Sequence, residues 1–211
     1  MKVKYRHKSI NALKYLKEII VNTWNFESDL KCIELFSREG DWHTQTLFSG
    51  YSDITLCEID SQYKDSLSLN FPHANIQILD SIHMLETLSD DSHRYDLISI
   101  DNPLGCFDKY CENFEVVDNI HKLLKDKAIL LINIVPRPYN YKDIVKDWKK
   151  RRQDFYNVEN DESINFNEIL KTYKKKLSRA GFNISDYEYI CKEYADDLDY
   201  LYYLCLNLEK S

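Results

Sequence analysis

Cys32-Ile33-Glu34-Leu35-Phe36-Ser37-Arg38-Glu39-Gly40 is a short apolar run that reaches a carboxylate and turns at once into a polar loop. The pattern recurs in Ile54-Thr55-Leu56-Cys57-Glu58-Ile59-Asp60 and in Tyr95-Asp96-Leu97-Ile98-Ser99-Ile100-Asp101-Asn102-Pro103. Strands buried on both faces of a parallel sheet read as apolar runs rather than as strict alternation. In an open α/β sheet, ligands bind just past the carboxyl ends of the strands. Three such runs in order, with helical stretches between them, predict a nucleotide-type ligand held along the top of a sheet.

Working outward from these runs, strand and helix alternate. Ser9 to Trp24 places Ile10, Leu13, Leu16, Ile19 and Ile20 at helical spacing, with Ser9 as N-cap. Helices follow at 41–48, with Gly50 as a stop, and at 61–70, where Pro72 forbids continuation. A strand at 75–79, a helix at 82–88, a helix at 110–124 and a strongly apolar strand at 127–135 complete the alternation. This order predicts a parallel sheet with right-handed crossovers. Beyond Pro136-Arg137-Pro138 the pattern changes to helices at 141–156 and 164–179, around a polar loop at 157–161. Two β-rich runs, 183–192 and 199–208, are joined by the acidic link 193–198 and predict a hairpin.

The 211 residues fit a single domain, 1–211, with 1–29 as an N-terminal helical extension and 136–165 as an insertion suited to cover a substrate pocket. A hydrophobic content of 44% argues against global disorder. No stretch approaches the roughly 18 apolar residues of a membrane span. The basic start, Met1 to Lys8, is followed by a helix interrupted by Lys14, Lys17 and Glu18, which is no signal-peptide core. A soluble, cytoplasmic protein with no membrane partner is expected. The net charge of −7 disfavours nucleic acid at long range, although a local basic patch can still dock it.

The cysteines at 32, 57, 106, 111, 191 and 205 are scattered without a Cys-x-x-Cys pair, which argues against a disulfide framework. The histidines at 7, 43, 73, 83, 93 and 121 show no metal-ligand spacing, so no metal site is expected. Lys146 to Arg152 sets Lys149, Lys150 and Arg151 around Trp148; a solvated helix face with Trp148 turned to the core is favoured over a base-stacking phosphate site. Tyr187, Tyr189, Tyr194, Tyr200, Tyr202 and Tyr203 crowd the hairpin, where aromatics pack or pair with another subunit, which makes it a candidate homodimer edge.

Taken with these motifs, the chain from about residue 30 onward resembles the class I S-adenosylmethionine-dependent methyltransferases. The resemblance implies an α/β, doubly wound, mostly parallel seven-stranded sheet with a C-terminal antiparallel hairpin, in a Rossmann-like three-layer sandwich. Lys176-Leu177-Ser178-Arg179-Ala180-Gly181-Phe182 is similar to the family's helix end before the hairpin, and Leu123-Leu124-Lys125-Asp126-Lys127 to its turn before the fifth strand. Glu34-Leu35-Phe36-Ser37-Arg38-Glu39-Gly40 is similar to an Asp-Leu-Phe-Ala-Gly-x-Gly loop, with Arg38 in place of a glycine and Gly40 retained.

The cofactor implied by the resemblance is S-adenosylmethionine. Glu34, Phe36 and Gly40 would surround its methionine part, with Glu34 facing the ammonium. Glu58, next to Ile59, would accept the ribose hydroxyls, with Asp60 as the near alternative. Asp80 would accept the adenine amine, with Ser81 and Ile82 alongside. Glu58, Asp60 and Asp80 can each instead cap the helix that follows. Asp101-Asn102-Pro103 partly resembles the Asn/Asp-Pro-Pro-aromatic motif of amino-nitrogen methyltransferases, with Leu104 and Gly105 departing from it and Phe107 or Tyr110 able to supply a ring. Asp101, Asn102 and Pro103 are therefore the expected catalytic residues, and Asp101 also borders the cofactor. A proline turn after a strand is the plain alternative.

The resemblance implies methyl transfer to an acceptor such as an amino nitrogen of a small molecule or nucleobase. A non-catalytic module with a degenerate cofactor loop is the second reading, favoured by Arg38 and by the total of four glycines. A nicotinamide-dependent oxidoreductase is the third, weakened by the lack of Gly-x-Gly-x-x-Gly.

Overall fold

The computed structural model describes residues 10–89, 94–101, 114–136, 146–160, 164–195 and 198–211. Seven strands form one sheet: β1 (Lys31–Glu34), β2 (Asp53–Glu58), β3 (Asn75–Ile78), β4 (Tyr95–Ile100), β5 (Leu124–Ile134), β6 (Phe182–Ala195) and β7 (Leu198–Lys210). Their order is β3-β2-β1-β4-β5-β7-β6. The first five run parallel, and β7 is antiparallel to both β5 and β6. The order reverses between β1 and β4, which makes their carboxyl ends the switch point where such sheets bind ligands. Register brings Glu34 level with Ser99 of β4 and Glu58 level with Ile78 of β3.

Side chains alternate between the two faces, as the strand period requires. On β5, Ala128, Leu130, Ile132 and Ile134 enter one core and Ile129 and Leu131 the other. The first core is closed by α4 (Ser81–Thr87), α5 (Phe114–Val117), α6 (Lys146–Tyr156) and α7 (Phe166–Arg179). The second is closed by α1 (Ile10–Asn22), α2 (Trp42–Phe48) and α3 (Lys64–Asn70). The seven-stranded sheet, its antiparallel C-terminal pair and the helices on both faces are those expected from the sequence. Leu13, Leu16 and Ile20 of α1 are fully buried, and Trp24 donates to Asp186 of β6 at 2.8 Å. The N-terminal helix is thus a wall of the sandwich.

Three elements differ from the sequence reading. The helix expected at 110–124 is, within the described residues, α5 followed by a separate 3-10 turn at Ile120–Leu123, and β5 begins already at Leu124. The pair Asp118-Asn119, with no side-chain cap from Asn119, interrupts it. The hairpin is tighter than the six-residue link suggested. Bulges between Cys191 and Glu193 and between Glu193 and Tyr194 absorb the polar stretch, and the ladder closes at Ala195↔Leu198. In α6, Trp148 and Arg152 are buried, Arg152 lies over the rings of Trp148 and Tyr156, and Arg151 pairs with Glu115. Trp148 is turned to the core as expected and Lys150 is exposed, but the burial of Arg152 and the pairing of Arg151 depart from a wholly solvated face.

Cys32, Cys57, Cys191 and Cys205 are buried and form no disulfide, and burial pushes the Cys57 thiol up to about 12. Among the described residues no helix is long and apolar enough to cross a membrane.

Candidate functional site

The loop after β1 is a four-residue turn, closed by the Gly40 amide donating to the Ser37 carbonyl at 2.8 Å. Arg38, its second residue, adopts φ +48, and Gly40 adopts φ +68. A positive φ is the conformation for which glycine is normally used. Arg38 accepts it, and its backbone N–H donates to Glu58 Oε2 at 2.8 Å. Its side chain is half exposed, 3.6 Å from Glu39 and over the ring of Tyr63. Gly40 is required for a different reason: a Cβ there would sit 2.6 Å from the Phe71 ring and 3.1 Å from Leu67. Its close approach is to α3 and the residue after it.

Glu58 is buried at the end of β2. Besides Arg38, the Asp60 amide donates to its Oε1 at 2.8 Å. The carboxylate therefore clamps the first loop to the second. Each carboxylate offers about four lone-pair positions, and among the described residues two remain. Ile59 beside it is 63% exposed, a large apolar side chain lying open at the rim. Asp60 caps the next 3-10 turn through Gln62. Asp80 caps α4: its Oδ1 accepts from both Ile82 and His83 amides, and no donor among the described residues reaches Oδ2. Ser81 is buried and donates to the Leu35 carbonyl at 2.5 Å.

Glu34 and Asp101 face each other across the switch point, with His43 between them. The sequence reading named both acids but not the histidine. Asp41 caps α2 by accepting from the His43 amide, which points His43 and Thr44 of the first turn inward. Thr44 donates to Glu34 Oε2 at 2.6 Å. His43 Nε2 lies 3.0 Å from Ser99 Oγ and 3.3 Å from Glu34 Oε1. His43 Nδ1 lies 2.7 Å from the Tyr203 hydroxyl and 3.0 Å from Asp101 Oδ2. Asn133 and Lys192 both donate to Asp101 Oδ1. Burial pushes the Asp101 carboxyl up, but His43, Lys192 and the hydrogen bonds from Lys192 and Asn133 outweigh it and hold the group below its ordinary range.

A cavity of about 160 Å³ opens against this network. Glu34, Phe36, Ser37, Arg38, Thr44 and Asp101 line it, with Asp41, Trp42 and Lys192 completing the wall. The structure thus gathers Glu34, Phe36 and Asp101 around one cavity, with Glu58, Ile59 and Asp80 along the neighbouring strand ends. Ser81 and Gly40 are engaged with protein atoms. Asn102 and Pro103 lie outside the described residues, as do Leu104, Gly105, Phe107 and Tyr110.

No protein-family model and no curated protein matches the chain. Solved structures do. TYW2 of M. jannaschii in complex with AdoMet superposes with TM-score 0.60 at 10% identity, over 100% of this chain and 80% of that one. TYW2 of P. horikoshii in complex with MeSAdo gives 0.60 at 13% identity, over 100% of this chain and 66% of that one. The M. jannaschii tRNA m1G37 methyltransferase gives 0.54 at 10% identity, over 95% of this chain and 48% of that one. The chain has the class I methyltransferase fold. It spans about half the length of the tRNA methyltransferase. Within this methyltransferase fold, the sheet order puts Glu34, Glu58 and Asp101 at the strand ends that border the crevice.

Proposed function

We propose that the chain binds S-adenosylmethionine along the carboxyl ends of β1, β2 and β3 and transfers its methyl group to a nucleobase nitrogen of an RNA. One observation carries the reading. Arg38 holds the left-handed backbone of a glycine loop, hands its amide to Glu58, and carries its side chain over Tyr63.

The residues present fit the cofactor. Glu58 keeps lone pairs for two ribose hydroxyls. Ile59 offers an apolar surface to the adenine face. Asp80 Oδ2 suits the adenine amine. The cavity is smaller than the roughly 300 Å³ or more of pockets that enclose drug-sized ligands, and so suits the amino-acid end alone. When bound, the cofactor supplies an electrophilic methyl group on a sulfonium. The protein's own work is then to align the acceptor and exclude water, and alignment alone contributes up to about 7–11 kcal/mol. Asp101, held ionised, accepts a hydrogen bond or proton from the acceptor, and Asn102 and Pro103, the other expected catalytic residues, follow it in the sequence.

The similarity to a tRNA methyltransferase supports an RNA acceptor. So does α7, which exposes Lys171, Lys174, Lys175 and Arg179 on a chain of net charge −7. A single domain belongs to the same reading; of the expected cover 136–165, the described helix α6 packs into the core.

Calorimetry with S-adenosylhomocysteine tests the cofactor. Saturable binding is expected, and folded protein that takes up no ligand at millimolar concentration overturns the proposal. Transfer of labelled methyl groups into bulk RNA tests the acceptor. One observation favours a second reading, a non-catalytic binding module: both Asp101 oxygens are already engaged by protein. Cofactor binding without label transfer to RNA or small amines would favour it.

A further inference from the structure

Lys192 is the unassigned cation of the cavity. It comes from β6 and is buried, with its ammonium over the rings of Trp42 and Tyr203 at 5.7 and 5.1 Å. Asp101 is its hydrogen-bond partner among the described residues. An ammonium has three donors, so two remain for a ligand. The same wall carries three carboxylates, Glu34, Asp41 and Asp101. Its other cation, Arg38, is half exposed and sets its guanidinium over the Tyr63 ring and beside Glu39.

An amino-acid group entering this space brings one ammonium and one carboxylate. The ammonium matches Glu34 and Asp101. The carboxylate finds repulsion from three acids, and Lys192 is the buried cation among the described residues of the wall. We infer that Lys192 is the anchor for the carboxylate of the cofactor's methionine part, so that the C-terminal hairpin takes part in cofactor binding. This rests on the cofactor reading above. Burial strengthens the pair, because a charge-assisted hydrogen bond gains in a site with little water. It also makes the anchor selective: a nucleoside without the amino-acid end leaves Lys192 with Asp101 alone.

The experiment is a cycle between residue and ligand, read by calorimetry. Full-length protein and Lys192→Met are each titrated with S-adenosylhomocysteine, with its decarboxylated analogue, which keeps the ammonium, and with methylthioadenosine. The unmodified protein is expected to bind S-adenosylhomocysteine about 10-fold or more tighter than the decarboxylated analogue. In Lys192→Met that preference disappears, while affinity for methylthioadenosine holds. Lys192→Arg, which keeps the charge, retains part of the preference. A merely structural lysine would lower all three affinities together and leave the ratio unchanged, which overturns the inference.

If Lys192→Met does not fold, the unmodified protein still decides. Equal affinity for the carboxylated and decarboxylated ligands refutes the anchor. Binding of the nucleosides with no carboxylate preference rejects Lys192 but keeps the cofactor reading. Binding of none of the three rejects both.

Discussion

Glu58→Gln separates the structural from the ligand-binding work of one side chain. The buried carboxylate accepts the Arg38 amide on one oxygen and the Asp60 amide on the other, each at 2.8 Å. A glutamine of the same shape keeps one acceptor and turns an NH2 toward the other amide. One buried N–H then lacks its partner, at a cost of about 1–3 kcal/mol. At about 2–4 °C per kcal/mol for a chain of this size, a cost near 2 kcal/mol lowers Tm by about 4–8 °C. The same change removes the charged acceptor for the ribose hydroxyls. Hydrogen bonds to charged groups contribute about 1.5–3 kcal/mol, so S-adenosylhomocysteine affinity falls by about 10- to 100-fold. Thermal melts and calorimetry read the two effects on one preparation. An unchanged Tm would show that the carboxylate does not clamp the two loops. A lowered Tm with unchanged ligand affinity would leave Glu58 as a clamp and remove it from the ribose site.

Three further outcomes follow from the geometry. Gly40→Ala combines left-handed strain of about 1–2 kcal/mol with overpacking of about 1–3 kcal/mol against Phe71 and Leu67, whereas Gly50→Ala, with open space around it, carries the strain alone; denaturant midpoints should rank them so. Because Asp101 is held below the ordinary carboxylate range, its contribution to stability is full above its unfolded pKa of about 4 and is lost as pH falls through the lower folded value. Asp101→Asn should therefore be less stable than the unmodified protein at pH 7, with the gap narrowing on acidification below about 4; a gap that widens there contradicts the assignment. Replacing Lys171, Lys174 and Lys175 together by Glu should weaken RNA retention by about 10-fold or more at low salt and flatten its salt dependence, and an unchanged salt slope would exclude α7 as the docking face.

The strand ends were legible because each announces itself locally, as an apolar run broken by an acid. Glu34, Glu58 and Asp101 all sit where that pattern puts them. The two readings offered for Asp80 and Asp60 could not be separated by sequence, since a cap and a ligand-binding acid use the same residue at the same place. In the structure both acids cap, and Asp80 still has one oxygen to spare. His43 carried a signal that went unread: it lies two residues after the capping Asp41 and one turn before Leu47, on the buried stripe of α2. Lys192 carried less. The strand period groups Glu188, Ile190 and Lys192 on one face of β6, against Tyr187, Tyr189 and Cys191 on the other, yet a period says nothing of which face lies over the switch point.

The pairing of these residues explains why a buried acid, Glu34, and a largely buried one, Asp101, can stand at the crevice. Removing a buried carboxylate from water costs several kcal/mol, and the attraction of a partner repays it only when the remaining lone pairs are also satisfied. Glu34 has Thr44, Ser99 and His43; Asp101 has His43, Lys192 and Asn133. The donors come from β4, β5, the first turn of α2 and the far hairpin, so the acids at the switch point hold both halves of the sheet in register. Opening Asp101 to an acceptor therefore requires Lys192 or Asn133 to give up a hydrogen bond. A ligand carboxylate that draws the ammonium of Lys192 toward itself would supply that release, and acceptor binding would then depend on cofactor binding.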